Sequence, residues 1–312
     1  MASIRNLKHA KEFGRFVGAA AVGLALLASP GVASAAELPA NSTAAHVVMD
    51  ESGGKVRSKH DEHRKFRAAS VVKLLIAVDH LERLDQAKPI PEEDKLLLQP
   101  MLRSSNDDAA SDFWVRNGGA EIIERSVAKM GLQDTVPPPA DQSSVWGYTG
   151  TSASDIAKTY RYVLDKTDAR TRDFVLTNLG KHTKCAADGF DQSFGLPSAA
   201  PEADAAKQGW SGFGDGPAPG QECNDSDDPA RTGQLLSSEP VQRSKASASA
   251  ESRGGARPFA ANGDVDLTRR AMHTTGIADG KIVVLLTLQP DGTPWQTAAD
   301  GVTASTEELL AG

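Results

Sequence analysis

Cysteine is scarce: the 312 residues contain two, Cys185 and Cys223. That is too few thiols for a structural zinc site. In an oxidising compartment the pair is free to form a disulfide, and two free thiols are equally consistent, because nothing in the spacing sets their distance. Basic residues are also in short supply, with 34 Lys and Arg against 41 Asp and Glu. Residues 1–35 hold four of those basic groups and one acid, so the remainder carries 30 against 40, a formal net of −10. A surface of that sign repels phosphate backbones and excludes nucleic acid as a natural partner. Long apolar runs are confined to one place, Phe16 to Ala28. Arg5, Lys8, Lys11 and Arg15 precede it and the small-x-small site Ala33-Ser34-Ala35 follows, which predicts a secretory signal peptide over residues 1–35. With no cysteine after the cleavage site no lipid anchor is expected, and no later run is long enough to span a bilayer. The expectation is a soluble, secreted monomer with no membrane contact after cleavage.

Aliphatic side chains are missing from one internal stretch. Residues 211–266 are rich in Gly, Ala, Ser, Pro and Asp, with Leu235, Leu236, Val241 and Val265 their only aliphatics. Such a segment cannot offset its ordering entropy, so a disordered insertion is expected there. Residues 36–43 read as a tether, and 44–312 as one domain containing that insertion. His60 and His63 stand three apart, but in the charged turn Lys59-His60-Asp61-Glu62-His63 they read as solvated loop residues, and neither metal nor cofactor is expected.

The remaining pattern is mixed. His46 to Met49 reads as a strand, Ser52-Gly53-Gly54 as a turn, and Lys55 to Arg57 as the return. A helix follows Ser70 and stops before Pro89. Residues 92–131 read as helical with a break at Pro100, 155–164 and 172–179 as helices, and 305–310 as a closing helix. Lys207 to Trp210 begins a strand, and Lys281 to Gln289 is the clearest strand in the chain. Strands at both ends with helices between them predict an α/β (α+β) fold. Its antiparallel sheet is built from both chain ends and flanked by helices, with an all-helical lobe inserted and the site in the cleft between lobes.

Three short segments carry chemistry: Ser70-Val71-Val72-Lys73, Ser104-Ser105-Asn106 and Lys207-Gln208-Gly209. A serine hydroxyl needs a neighbour to take its proton, and at i, i+3 on a helix Lys73 can touch Ser70. Ser-x-x-Lys also occurs at Ser52 and Ser126. Ser52 lies in a glycine turn and Ser126 late in a helix. Only Ser70 opens a long apolar run, where its hydroxyl faces the free N–H groups of a helix start. An ordinary N-cap serine looks the same in isolation, and the ordered trio is what argues for a nucleophile.

The stretch Phe66 to Lys73 resembles the nucleophile segment of the serine β-lactamase and penicillin-binding protein superfamily, most of all its class A β-lactamases. That family combines Ser-x-x-Lys with a Ser-Asp-Asn-type and a Lys-Thr-Gly-type element. The second corresponds here to Ser104-Ser105-Asn106, the third to Lys207-Gln208-Gly209-Trp210, and Thr151 to Ala157 is similar to the helix that follows the family's active-site loop. The resemblance covers roughly residues 44–210 and resumes around 267–290. It implies Ser70 as nucleophile, Lys73 as base, Ser104 as proton relay, Asn106 holding a substrate amide, and Lys207 attracting a substrate carboxylate. The oxyanion hole would come from the backbone N–H groups of Ser70 and Trp210, after Gly209, with Arg269 or Arg270 as a further carboxylate contact.

Three departures stand out. Class A enzymes keep a water-activating glutamate in the loop before the Thr151 helix, whereas residues 132–150 offer only Asp134 and Asp141 as carboxylates. Gln208 replaces a hydroxyl residue, and Trp210 replaces a small one and is expected to narrow access. The expected function is a secreted serine hydrolase that opens β-lactam rings, slowly if deacylation is impaired. The alternatives are a penicillin-binding enzyme acting on D-alanyl peptides and a non-catalytic binding module on the same fold.

Overall fold

A computed structural model describes residues 37–224 and 265–312. The expected signal peptide and residues 225–264 of the expected insertion lie outside the described residues.

Strand β1 (Thr43–Asp50) turns through Gly53 and Gly54, both at positive φ, into β2 (Val56–His60). After the middle of the chain come β5 (Ala205–Ser211), β6 (Arg270–Ala278) and β7 (Lys281–Gln289). These five strands form one antiparallel sheet in the order β2-β1-β7-β6-β5. β6 and β7 are joined by Asp279-Gly280, both at positive φ (51° and 67°), the sequence a tight two-residue hairpin favours. The first strand therefore pairs with the last, which is how a sheet is assembled from both chain ends.

Side chains alternate across the sheet. Val47, Ile282, Val284, Leu286 and Ile277 belong to the larger core on one face. Val48, Val283, Leu285 and Met272 belong to two smaller cores on the other. The larger core is shared with α1 (Lys73–Arg83), α2 (Glu92–Arg103), α3 (Asp107–Arg116), α4 (Glu121–Met130), α5 (Ala153–Asp165) and α6 (Ala169–Gly180). Leu74 to Leu81 of α1 are all buried, as expected for a helix at the centre of a lobe. The opposite face is covered by the short α7 (Leu196–Ala199) and the closing α8 (Trp295–Ala311). A two-stranded ribbon, β3 (Phe66–Arg67) with β4 (Gly150–Thr151), sits beside the sheet.

Three expectations are corrected. Residues 37–42 are no free tether: Leu38 packs into the core under α8, and Gly301 leaves room for the backbone of Glu37 and Leu38 where a Cβ would come within 2.8–3.3 Å. α2 does not break at Pro100 but runs to Arg103. The start of the expected insertion is pinned: Cys223 is disulfide-bonded to Cys185, and its N–H donates to Gly189 O (2.8 Å).

Candidate active site

The segment that leads to Ser70 is clamped before its helix begins. β3 pairs with β4, and Ala68 N donates to Thr149 O at 2.7 Å. Ala69 then takes φ 46°, a left-handed conformation costing a residue with a Cβ about 1 kcal/mol or more. Ser70 follows in a 3-10 turn (Ala69–Val72) that leads into α1. Its hydroxyl caps neither helical segment. It accepts instead from Lys73 Nζ at 2.8 Å, so the role of an ordinary capping serine is not the one it plays.

The second element is shaped by Pro100. The Pro100 carbonyl accepts from Ser104 N (3.0 Å), Asn106 N (3.1 Å) and Ser104 Oγ (3.0 Å). Ser104's hydroxyl is thereby folded back onto α2. Ser105, at φ 58°, swings into the cleft in its place. Lys73 Nζ donates to Ser105 O (2.6 Å) and Oγ (3.2 Å), and Lys207 Nζ donates to the same Oγ (2.8 Å). The hydroxyl that meets both amines is Ser105's, one residue beyond the one expected. Asn106 differs in the same way. Its side-chain oxygen accepts from Ala109 N (2.8 Å) and caps α3, while Asp107 Oδ1 reaches Lys73 Nζ at 2.5 Å. The contacts with the two lysines and the α3 cap thus fall on Ser105, Asn106 and Asp107.

β5 supplies the third element, and strand alternation sorts its side chains. Lys207 and Gly209 face the helical lobe. Gly209 lies against the nucleophile turn, where a Cβ would stand 3.0 Å from Val71 N and 3.1 Å from Ala68 O. Gln208 and Trp210 point to the α8 side. Gln208 donates to Phe194 O and accepts from Thr274 Oγ1 (3.1 Å), so its amide takes no place among the cleft groups. Trp210 packs with Phe190, Phe194 and Trp295, and its Nε1 donates to Asp188 Oδ2 at 3.0 Å. The bulk expected to narrow access is turned into this aromatic cluster.

Both amines are buried, Lys73 at 0% and Lys207 at 1% exposure. Burial holds Lys207 well below the usual lysine range; the charge of Lys73 pushes the same way, and Asp107 and Asp188 oppose it. Lys207 forms no ion pair among the described residues; its partners are Ser105 Oγ and Gln208 O (3.1 Å). Asp188 is an exposed residue on the loop whose Ala187 N donates to Ser104 O. Desolvation raises its carboxyl pKa, the N–H of Phe190 lowers it, and Asp107 raises it further.

No carboxylate from residues 132–150 reaches Lys73 among the described contacts. Asp134 accepts from Ser152 Oγ (2.7 Å) and pairs with His63 Nδ1 (2.8 Å), which also accounts for His63. His60 stacks on His46. The residue that the loop lays over Lys73 is Trp146, its ring centroid 4.7 Å from Nζ and its Nε1 bonded to Ser111 Oγ (3.1 Å). Neither arginine considered for the cleft points there. Arg269 pairs with Asp266 (2.8 Å) and Thr43 Oγ1 (2.9 Å), and Arg270 lies over Phe213 and donates to Thr293 O. Sequence reasoning missed Ser105, Asp107, Trp146 and Asp188. A signal existed for Ser105, which is part of the motif, and for Asp107, which adjoins it.

Behind the Ser70 segment, His273 on β6 is fully buried. Its Nε2–H donates to Arg67 O (2.8 Å) and its Nδ1 accepts from Thr287 N (3.0 Å). That pair of partners sets the tautomer and braces the segment leading to Ser70. Burial lowers its pKa to about 4, against a smaller opposing effect of the Arg67 carbonyl.

Comparison with known proteins places this geometry. No family model matches the chain. Proteins named "Putative lipoprotein LppW" from Mycobacterium tuberculosis and Mycobacterium bovis are each 33% identical over 174 residues, 54% of this chain and 54% of theirs. The chain thus spans about half the length of the curated relatives it matches. Among solved structures, the class A β-lactamase from Mycobacterium abscessus aligns with TM-score 0.54 over 86% of this chain and 94% of its own, at 17% identity. The β-lactamase from Streptomyces albus G aligns with TM-score 0.53 over 86% and 93%, at 15% identity. The protein has the fold of the serine β-lactamase and penicillin-binding protein superfamily, in its class A β-lactamase form.

Proposed function

We propose that this protein is an extracytoplasmic serine hydrolase that opens β-lactam rings through an acyl-enzyme on Ser70 and releases the product slowly. The observation that carries the reading is the continuous chain Ser70 Oγ–Lys73 Nζ–Ser105 Oγ–Lys207 Nζ, with links of 2.8, 3.2 and 2.8 Å. Lys73, as the amine, takes the Ser70 proton while Oγ bonds to the acyl carbon. The C–N bond then breaks, and the departing nitrogen takes the Ser105 proton. Lys207, whose burial weakens its hold on a proton, resupplies that hydroxyl. Lys207 is buried and forms no ion pair among the described residues, so a substrate carboxylate would stabilise its charged form. The backbone N–H groups of Ser70 and Trp210, held together by the contact at Gly209, are the oxyanion donors in this scheme.

Slow release follows from Trp146. The loop lays an indole and no carboxylate over Lys73, whose carboxylate contact among the described residues is Asp107. Export is supported by the disulfide and by the name of the mycobacterial relatives.

The test pairs a chromogenic cephalosporin with a fluorescent penicillin, on the protein and on Ser70→Ala. Labelling with slow, sustained colour is expected, and both vanish in the variant. A permanent label without colour identifies a penicillin-binding enzyme instead. No label at all, or one that survives Ser70→Ala, overturns the assignment.

A further inference from the structure

The cleft carries more charge than acyl transfer uses. Asp107 Oδ1 plugs Lys73, but 61% of the Asp107 side chain is exposed and its Oδ2 has no protein partner among the described residues. Asp188 is the second carboxylate, and its position is built rather than incidental. Oδ2 accepts from Trp210 Nε1 (3.0 Å) and Oδ1 from Phe190 N (3.2 Å). Its loop is tied to the catalytic elements, since Ala187 N donates to Ser104 O (2.7 Å). The Cys185–Cys223 disulfide and the bond from Cys223 N to Gly189 O clamp the same loop from the other side. The bond from Ala187 N to Ser104 O sets the residue before Asp188 against the segment that carries Ser105 and Asp107, so both carboxylates flank that segment.

Ionised carboxylates only accept hydrogen bonds. A cleft with the buried Lys207 amine, which has no ion pair among the described residues, and with the acceptor-only Asp107 and Asp188 besides, is electrostatically polarised. A substrate with a carboxylate at one end and N–H donors or positive charge at the other satisfies both ends. A second carboxylate on the acyl side meets like charge.

We propose that Asp107 and Asp188 are specificity-determining residues that select acyl donors carrying an ammonium group on the acyl side, so that the preferred substrate is a zwitterion with its carboxylate at Lys207. This rests on the Ser70 acyl-transfer reading. It goes further by naming the charge pattern of the substrate.

The experiment uses three penicillins that share one nucleus and differ in the acyl group: phenylacetyl, α-amino-phenylacetyl and α-carboxy-phenylacetyl. Acylation rates are followed by intact-protein mass spectrometry on the full chain, on Asp107→Asn and on Asp188→Asn, at low and high salt. The expected order is amino, then plain, then carboxy, with about tenfold between the extremes or more. That ratio shrinks toward one in either folded variant and falls with added salt, because it is a Coulomb effect. Using a ratio cancels any general loss of reactivity that Asp107→Asn causes through Lys73. Equal rates for the three compounds in the unmodified protein, or a ratio that both variants and salt leave untouched, overturns the proposal. Absence of acyl-enzyme with all three refutes the acyl-transfer reading itself and is distinguishable on that ground.

Discussion

The imidazole behind the nucleophile makes the fold sensitive to acid by an amount that follows from its burial. His273 has a pKa of about 4 in the folded protein and about 6.5 when the chain is unfolded. Its folded pKa is the lower one, so the neutral ring is favoured by folding. Above pH 6.5 the ring is neutral in both states and the stability is complete. As pH falls from 6.5 toward 4 only the unfolded chain binds the proton, and stability is lost at up to about 1.4 kcal/mol per pH unit. Between pH 7.5 and 4.5 this one group accounts for roughly 2.5 kcal/mol. The perturbation is His273→Asn, which keeps an acceptor near Thr287 N and cannot titrate. Urea unfolding of both proteins at the two pH values isolates the effect, because every carboxylate titrates alike in both. At pH 7.5 the variant is the weaker, having lost the bond to Arg67 O and much of a buried ring. At pH 4.5 the gap closes by about 2.5 kcal/mol. A gap that stays constant between the two conditions refutes a neutral, buried His273.

Three further outcomes are expected. Ser105→Ala lowers the acylation rate by 10²-fold or more as the shared hydroxyl is lost, whereas Ser104→Ala removes a bond to Pro100 O and costs about 1 kcal/mol of stability with little change in rate; the reverse ranking in a stopped-flow assay restores the register Ser104-Ser105-Asn106. Gly209→Ala forces a Cβ against Val71 N and Ala68 O, so the variant loses about 1–3 kcal/mol in urea and acylates more slowly; unchanged melting and labelling would show that the two segments are not in contact. Replacing Cys185 and Cys223 together by serine opens a cross-link spanning 38 residues and lowers stability by about 4 kcal/mol in the loop-entropy account, read as a drop in the denaturation midpoint that reducing agent reproduces in the parent protein.

Legibility in the sequence followed the range of the interaction. The Ser70–Lys73 pair was readable because three residues along one helical turn determine whether two side chains meet, and nothing distant alters it. β7 was readable because a strand buried on both faces is apolar throughout. β6 was harder to see: Arg270-Ala271-Met272-His273-Thr274-Thr275 mixes polar with apolar residues, and its buried hydroxyls and imidazole are satisfied by distant partners on β5, β7, α5, α7 and the segment leading to Ser70. Pro100 misled because a proline inside a helix reads as a break, whereas its carbonyl organises the turn that follows.

The amino-acid order by itself determined the sheet from both chain ends, the helical lobe, and the identities of the serine and the two lysines that meet in the cleft. Which neighbour of Ser105 turns inward, and which residue covers Lys73, were decided only in three dimensions. Ser104 and Ser105 are chemically identical, and a single carbonyl on α2 chooses between them by capturing one hydroxyl. Trp146 and Asp188 come from loops 73 and 115 residues beyond Lys73, held by Ser111, Phe190 and Trp210. Local sequence carries no record of such contacts, because their free energy appears only once the packed lobes bring the partners together.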